Sequence, residues 1–251
     1  MNTIERLFGL IGFPLSHSFS KRYFTEKFQR ESITNSAYEL FEIPTVEQLP
    51  EIFQQHPNLR GLNVTIPYKQ QVMQYVDELD PVAERIGAVN TVRIEKDKKV
   101  GFNSDYYGFR DSLLPWLNGT SVDQALVLGT GGASRAVVCA LQDLNVDCTY
   151  VSRHASEKAI SYSELQEKDI KDYPLIINTT PLGMSPNTES YPDLDYSQLT
   201  SEHFCYDLVY NPEETAFMRL AKQQDAQVKN GLEMLHKQAE KSWEFWGNEQ
   251  Y

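Results

Sequence analysis

A glycine-rich stretch in the middle of the chain has the residue types and spacing of a phosphate-binding loop. An apolar run that ends at Leu128 leads directly into Gly129, Gly131 and Gly132, and an amphipathic helical pattern follows. Glycines let the backbone turn tightly and approach a pyrophosphate, while unpaired N–H groups at a helix start attract the anion. Ser134 takes the place of the third glycine of G-x-G-x-x-G. The stretch therefore predicts a dinucleotide site, with a purely structural turn as the alternative.

The cations after the next predicted strand indicate which dinucleotide is bound. Arg153 follows the apolar segment 148–151, where an NAD-binding protein carries a carboxylate for the ribose 2′-hydroxyl, about 20 residues beyond the glycines. A guanidinium instead matches the extra 2′-phosphate of NADP, and Lys158 follows within reach. The pattern predicts NADP, with NAD less favoured. The structural alternative is a solvated arginine at a helix start.

Four segments of the N-terminal half place polar residues where a folded chain would favour apolar ones. They are residues 14–20, 63–69, 86–91 and 101–108. Three of them have a structural alternative, because the serines of the first segment and Asp105 can cap helices, and Lys69 can be solvated. A lysine is nevertheless unfavourable at the start of the helix predicted after Pro67. The four segments together indicate a polar site.

These segments and the glycine loop, with three further motifs, resemble the shikimate dehydrogenase family over almost the whole chain. The motifs, in the family's order, are the serine motif at 14–20, N-V-T-I-P-Y-K at 63–69, I-G-A-V-N-T at 86–91, N-S-D-x-x-G at 103–108, G-T-G-G-A at 129–133, I-N-T-T-P-L-G-M at 177–184, D-L-V-Y-N-P at 207–212 and G-L-E-M-L-x-x-Q at 231–238. Eight motifs in order are far more specific than any one of them.

The resemblance implies both an activity and a fold. The activity is the reversible reduction of 3-dehydroshikimate to shikimate with NADPH, in the route to aromatic amino acids. The fold is α/β, with an N-terminal substrate domain built on a mixed, mainly parallel sheet, a Rossmann-type dinucleotide-binding domain and a cleft between them. The implied domains are residues 1–103 with 232–251 for the substrate and residues 104–231 for NADP.

The same resemblance implies roles for the residues that match the motifs. Lys69 and Asp105 are the implied catalytic acid/base pair, and no residue is a metal ligand. The implied substrate-binding residues are Ser18, Ser20, Asn63, Thr65, Asn90, Tyr210 and Gln238. The implied cofactor-binding residues are Gly129, Gly131, Gly132, Ala133, Ser152, Arg153, Lys158, Asn178, Thr179, Thr180, Leu208 and Gly231. Hydroxyls and amides suit a small ring with a carboxylate and several hydroxyls, since they donate and accept hydrogen bonds.

The cofactor clamp departs from the family pattern Asn-Arg-Thr-x-x-Arg. Residues 152–157 are S-R-H-A-S-E, so Glu157 replaces the second arginine and Lys158 lies beside it. An acidic side chain there could repel a 2′-phosphate, which keeps a quinate/shikimate dehydrogenase with NAD preference as an alternative. The second alternative is a non-catalytic dinucleotide-binding sensor on the same fold. Such a sensor would be expected to lose Lys69 or Asp105, and this chain keeps both.

The strands and helices that position these residues alternate along the sequence. This alternation predicts parallel α/β architecture. Strands are predicted at 8–11, 37–41, 61–66, 122–128, 148–151, 175–178 and 204–209, with a hairpin over 88–95 and 98–102. Helices are predicted at 20–30, 46–55, 133–144 and 232–246. A domain boundary is predicted near 103–108, before a new helix.

The composition is that of a folded protein and excludes several functional classes. Of 251 residues, 41% are hydrophobic and 23% are charged, and the formal net charge is −12. An acidic surface disfavours nucleic acid and anionic membranes, and no apolar run is long enough to span a bilayer. The 5 histidines and 3 cysteines lack the spacing of a metal site or a disulfide framework. The expectation is a cytoplasmic monomer or homodimer.

Overall fold

The computed structural model describes residues 4–15, 18–96 and 98–247. These residues form two six-stranded sheets. Each sheet belongs to its own compact unit. The first unit takes in the described residues up to Ser104 together with those from Ala239 onwards, and the second unit is Asp105–Gln238. The final helix is therefore divided between the two units after Gln238.

The first unit is built on a mixed sheet. Its elements in chain order are β1 (Arg6–Gly12), α1 (Phe19–Arg30), β2 (Ser36–Glu42), α2 (Leu49–Gln55), β3 (Leu59–Val64), β4 (Glu78–Leu79), α3 (Pro81–Ile86), β5 (Thr91–Glu95) and β6 (Lys98–Phe102). The strand order is β2-β1-β3-β5-β6-β4. β1 pairs in parallel with β2 and β3, while β5 is antiparallel to β3 and β6. The sequence prediction of a mixed, mainly parallel sheet with a β5–β6 hairpin is confirmed.

Proline explains one difference from the sequence prediction in this unit. The segment 46–55 is not one helix, because a 3₁₀ turn over Val46–Gln48 precedes α2. Pro50 lies in the first turn of α2, where its missing N–H would have no helical partner in any case. A helix beginning at Val46 would have placed this proline in its interior.

An aromatic cluster covers one face of the first sheet and brings the C-terminal helix back to it. Phe8 of β1 stacks on Trp246 with ring centroids 4.8 Å apart, and Phe24 of α1 stacks on Tyr38 at 4.8 Å. The Trp246 indole N–H donates to Val92 O at 3.0 Å. Such rings bury a large apolar area and hold preferred relative orientations. The cluster anchors the chain's last helical turn to the N-terminal sheet.

The second unit has the strand order of a dinucleotide-binding domain. Its elements are α4 (Ser104–Leu117, entered from the first unit), β7 (Gln124–Leu128), α5 (Gly132–Asp143), β8 (Asp147–Ser152), β9 (Ala159–Ser161), α6 (Tyr162–Leu165), β10 (Leu175–Asn178), β11 (Phe204–Asp207), α7 (Ala216–Lys222), β12 (Gln227–Lys229) and α8 (Leu232–Phe245). All six strands are parallel in the order β12-β11-β10-β7-β8-β9. Counted within the unit, this is the Rossmann order 3-2-1-4-5-6 read from its far edge. The Rossmann-type prediction is confirmed.

The remaining differences concern short elements and helix starts. The elements that the sequence patterns did not predict have 2 to 7 residues each and are α3, α6, α7, β4, β9 and β12. A strand or helix this short shows little hydrophobic periodicity. The stretch 103–108 does not precede a helix as predicted, because α4 already begins at Ser104. Among the described residues, no helix is both long and apolar enough to cross a bilayer.

Candidate active site

Backbone hydrogen bonds bring three of the polar segments of the first unit to one end of its sheet. They join segments that are far apart in sequence, and the carboxyl ends of parallel strands in α/β sheets are where ligands commonly bind. The bonds run from Thr65 N–H to Ile11 O (2.9 Å), from Val64 N–H to Asn90 O (2.8 Å), from Val89 N–H to Lys69 O (2.7 Å) and from Asn90 N–H to Phe102 O (3.0 Å). The residues around Lys69, Asn90 and Ser104 are thereby held together.

Lys69 lies in a turn and is half-buried. The sequence prediction that a helix begins here is wrong, since the next helical segment is a 3₁₀ helix over Gln71–Tyr75. Its carbonyl accepts the Val89 N–H instead of a helical partner, and Met73 N–H bonds to Gln70 O. An α-helical ladder cannot run through Lys69 for that reason. Lys69 is therefore not an unfavourable cation at a helix start, and it lies among the polar segments of the first unit.

Asp105 is the second residue of α4 and is also half-buried. It is not the N-cap, so the structural alternative for this aspartate is wrong. The Ser104 N–H at the helix start is bound instead by Asn90 Oδ1 at 2.7 Å. One turn further on, a Cβ on Gly108 would lie 2.7 Å from Met234 O and 2.8 Å from Gln238 Cβ. Glycine is thus required for α8, which carries Gln238, to pack on the helix that carries Asp105.

The two asparagines of the first unit differ in what their side chains bind. Asn63 accepts from the Tyr38 hydroxyl at 2.8 Å and donates to Ser242 Oγ at 2.9 Å, so both its polar atoms have partners in the core. Asn90 uses its Oδ1 within the core, and its Nδ2 donates no hydrogen bond to the described ranges. Asn63 is thus engaged in the core, and its contact with the substrate stays a prediction, while Asn90 retains a donor for a ligand.

The remaining substrate residues lie on three different elements. Ser18 is the N-cap of α1 and accepts the Lys21 N–H at 3.3 Å, so the capping alternative holds for this serine. Ser20 and Thr65 are half-buried, at the start of α1 and after β3. Tyr210 is 39% exposed and follows β11 in the second unit. Ser16 and His17 of the serine motif lie outside the described residues.

The glycine loop fits a dinucleotide phosphate. Gly129 has φ +104°, a left-handed conformation that favours glycine, and Gly131 is the N-cap of α5 without a side-chain hydrogen bond. A Cβ on Gly131 or Gly132 would meet no atom within 4 Å, so the space beside the loop is open. Open space at the start of a 12-residue helix with uncapped N–H groups suits an anion. Ser134, at the third glycine position, donates to Gly131 O at 2.7 Å and braces the loop.

The other proposed cofactor residues follow the carboxyl ends of neighbouring strands in the same sheet. Thr179, after β10, donates its hydroxyl to Leu128 O at 2.7 Å, next to Gly129. Asn178 Oδ1 accepts the Thr180 hydroxyl at 2.6 Å. The strand order reverses between β7 and β10, and such a switch point is where α/β sheets bind dinucleotides. Within the described ranges, no group of acidic, histidine or cysteine side chains is placed to hold a metal ion.

Comparisons with known proteins agree with this arrangement. The family model of the shikimate dehydrogenase substrate-binding domain matches residues 10–92. A shikimate dehydrogenase (NADP(+)) of Methanococcus aeolicus is 35% identical over 98% of this chain and 93% of its own length. The chain belongs to the shikimate dehydrogenase family. Residues 10–92 include Lys69 and Asn90, so the match to the family's substrate-binding domain covers three of the four polar segments.

Two solved structures of the family extend the likeness to the whole chain. A chorismate mutase/shikimate 5-dehydrogenase fusion protein from Clostridium acetobutylicum has a TM-score of 0.88 and 36% identity, covering 100% of this chain and 93% of that one. Shikimate 5-dehydrogenase from Thermus thermophilus, in complex with NADP(H) and shikimate, has a TM-score of 0.83 and 30% identity, covering 96% and 93%. Both units thus share the fold of shikimate dehydrogenases.

The cations of the cofactor clamp are exposed in this shikimate dehydrogenase family member. Arg153 and Lys158 follow β8 and lie at the surface, as does Glu157. In the part of the chain that the structure describes, neither cation forms an ion pair. The Ser152 hydroxyl donates to His154 O and shapes the turn after the strand. Both cations are accessible to a phosphate group.

A buried carboxylate that the sequence analysis left without a role ties the cofactor-side loops together. Asp207, which ends β11, is fully buried and accepts from the Asn178 amide (3.0 Å), the Val209 N–H (3.0 Å) and the Thr215 hydroxyl (2.6 Å). Burial raises its pKa to about 6, and these three hydrogen bonds oppose the increase. The signal in the sequence was a lone acidic residue closing a buried strand in the D-L-V-Y-N-P motif.

The raised pKa of Asp207 predicts how Asp207→Asn changes the pH dependence of stability. Since the folded pKa of about 6 lies above the unfolded value near 3.9, the wild type should lose stability relative to the variant as pH rises from about 4 to about 6. Relative to the variant, the free energy of unfolding of the wild type should fall by about 3 kcal/mol across this pH window, and the difference should stay constant above it. Urea unfolding of both proteins at several pH values measures it.

Asp195→Asn is the control for this experiment. The hydroxyl of Ser197 and the amide of Gln198 lower the pKa of Asp195. The wild-type advantage over that variant should therefore be lost as pH falls below about 4, which is the opposite sign. A difference between wild type and Asp207→Asn that is independent of pH would contradict the prediction.

Proposed function

We propose that this chain is an NADP-dependent shikimate dehydrogenase, which reversibly reduces 3-dehydroshikimate to shikimate in the route to aromatic amino acids. The observation that carries the proposal is the likeness, over 96% of the chain, to a structure that holds NADP(H) and shikimate. It is supported by the open glycine loop and by the retention of Lys69 and Asp105. A cytoplasmic location and a monomeric or homodimeric state stay predictions of the sequence.

We assign the two ligands to different parts of the chain. Residues 1–103 with 232–251 are proposed to bind the substrate, and residues 104–231 to bind NADP, while Asp105 and Tyr210 of the second range are also proposed to serve the substrate. The cofactor would be held by the loop at Gly129–Ala133, by the segments after β10 and β11, and by Arg153 and Lys158. When bound, NADPH supplies a hydride from its nicotinamide ring.

Lys69 and Asp105 are proposed to manage the proton that accompanies the hydride. During reduction the substrate's C=O becomes CH–OH, so its oxygen must gain one proton. The Lys69 ammonium donates that proton, and in the oxidation direction the neutral amine accepts it. Asp105 orients the amine or shares the proton. Neither residue needs a metal ion for this step.

The other proposed substrate residues bind the ring substituents. Hydroxyls of Ser18, Ser20 and Tyr210 can donate to the substrate carboxylate. The amides of Asn90 and Gln238 can donate to or accept from the ring hydroxyls. A site that pairs each hydroxyl discriminates against analogues that lack one, because the polar protein group is then left unpaired.

An assay with two acids and two cofactors tests the proposal against its alternatives. Shikimate or quinate is mixed with NADP⁺ or NAD⁺, and the absorbance of the reduced nicotinamide is followed. We expect the highest kcat/KM with shikimate and NADP⁺. A higher value with quinate and NAD⁺ would favour the alternative dehydrogenase. NADPH binding by calorimetry without turnover of either acid would favour the non-catalytic sensor.

A further inference from the structure

A buried cluster of polar side chains joins the C-terminal helix to the segments that carry the proposed substrate residues. We call it the Ser242 cluster, and it consists of Asn63, Asn90, Thr91, Ser104 and Ser242. Every member is at most 6% exposed. Polar groups buried to this extent need hydrogen-bond partners, and a network of such bonds favours one arrangement of its side chains.

Ser242 is the hub of this cluster. Its hydroxyl oxygen accepts from Asn63 Nδ2 at 2.9 Å and lies 2.9 Å from Thr91 Oγ1 and 3.0 Å from Ser104 Oγ. The residue belongs to the last turns of α8, so the C-terminal helix supplies a polar group to the core of the N-terminal sheet.

The network ends on the oxygen of Asn90. Asn90 Oδ1 accepts from the Ser104 N–H at 2.7 Å, and the hydroxyls of Thr91 and Ser104 lie 3.1 and 3.2 Å from it. Donors on all three sides fix which end of the amide is the oxygen. The Nδ2 group is therefore held at the other end, where it donates no hydrogen bond to the described residues.

We propose that Ser242 is a positioning residue for substrate binding. By holding the hydroxyls of Thr91 and Ser104 it keeps the Asn90 amide in one orientation, with Nδ2 as a fixed donor to a ring hydroxyl of the substrate. Ser242 itself is not proposed to touch the substrate. The inference rests on the proposed function and adds to it a residue outside all eight family motifs, at a position that the sequence analysis did not single out.

The test compares Ser242→Ala with a matched control, Ser112→Ala. Ser112 is equally buried and its hydroxyl donates to Phe109 O at 2.9 Å, but it lies in the second unit and has no bond to Asn90. We expect Ser242→Ala to raise KM for shikimate about tenfold and to leave KM for NADP⁺ within about twofold of wild type. Ser112→Ala should leave both KM values near those of the wild type, although it should lower the midpoint temperature of unfolding.

Two further measurements separate positioning from a structural role. The double variant Ser242→Ala/Asn90→Ala should bind shikimate no more weakly than Asn90→Ala alone, because both changes remove the same donor. Calorimetric titration with shikimate measures this without turnover. Ser242→Cys, which is slightly larger than serine and keeps a weak donor, should show a smaller rise in KM than the alanine variant. It remains available should Ser242→Ala fail to fold.

The outcomes distinguish this inference from the proposed function. Unchanged shikimate binding in the Ser242 variants of an active enzyme, or additive effects in the double variant, would overturn the role of Ser242 alone. Wild-type protein that neither binds nor oxidises shikimate would overturn the proposed function first. A selective rise in KM for shikimate with a non-additive double variant supports both.

Discussion

Lys69→Ala is expected to lower kcat for shikimate oxidation by at least about 10²–10⁴-fold, the usual contribution of a positioned acid or base. Without the amine, no side chain at this position can take the proton from the substrate hydroxyl as the hydride leaves. NADP⁺ binding should change little, because Lys69 belongs to the first unit and the glycine loop to the second. Steady-state kinetics beside calorimetric titration with NADP⁺ measures both quantities.

The controls for Lys69→Ala separate the loss of a proton carrier from the loss of a cation. Lys99→Ala removes a partly buried lysine of the same unit, which lies 3.8 Å from Asp77 and outside the family motifs. It should leave kcat near the wild-type value. Added primary amines of small size should partly restore turnover to Lys69→Ala, since they can occupy the space of the missing group. Near-normal turnover in Lys69→Ala itself would remove the proposed role.

The fold could be predicted from the sequence wherever periodicity and a resemblance agreed. The strand predicted at 175–178 is β10 with the same bounds, and the helix predicted at 133–144 is α5 displaced by one residue at each end. Buried parallel strands have continuous apolar runs, and α5 has a clear apolar side. The starts of helices were harder to predict from hydrophobic periodicity. Pro50 sets the start of α2 through its missing N–H, and the hydrogen bond from Val89 N–H to Lys69 O prevents a helix from beginning at Lys69.

The candidate site likewise has features that the sequence predicts and features that it does not. The glycine loop was predictable because its conformation depends on the residue types of a short continuous stretch. The core partners of Asn63 were not, since Tyr38 and Ser242 approach it from distant parts of the sequence. Asp207 and Ser242 look unremarkable in a linear chain, and only their burial shows that they organise neighbouring segments. The motifs thus mark the residues proposed to bind ligands, whereas tertiary contacts show which segments Asp207 and Ser242 connect.

Arg153→Ala is expected to raise KM for NADPH by about 10- to 100-fold and to leave KM for NADH within about twofold. A hydrogen bond to a charged group contributes about 1.5–3 kcal/mol, and only NADPH has the 2′-phosphate that the guanidinium matches. Arg153 is exposed after β8 and forms no ion pair within the described ranges, so it need not break one to bind the phosphate. Kinetics with both cofactors, at low and high salt, measures the selectivity and its screening.

Glu157, which replaces the second arginine of the family clamp, allows a second test of NADPH selectivity. Glu157→Arg restores the second arginine of the pattern and should lower KM for NADPH while leaving KM for NADH nearly unchanged, because it replaces a repulsive charge with an attractive one. Lys158→Ala should have a smaller effect than Arg153→Ala, since an ammonium cannot form the bidentate pair of a guanidinium. Equal changes in both KM values for Arg153→Ala would show that this residue does not bind the 2′-phosphate. Selectivity would then have to come from Lys158 or from the loop after β8 itself.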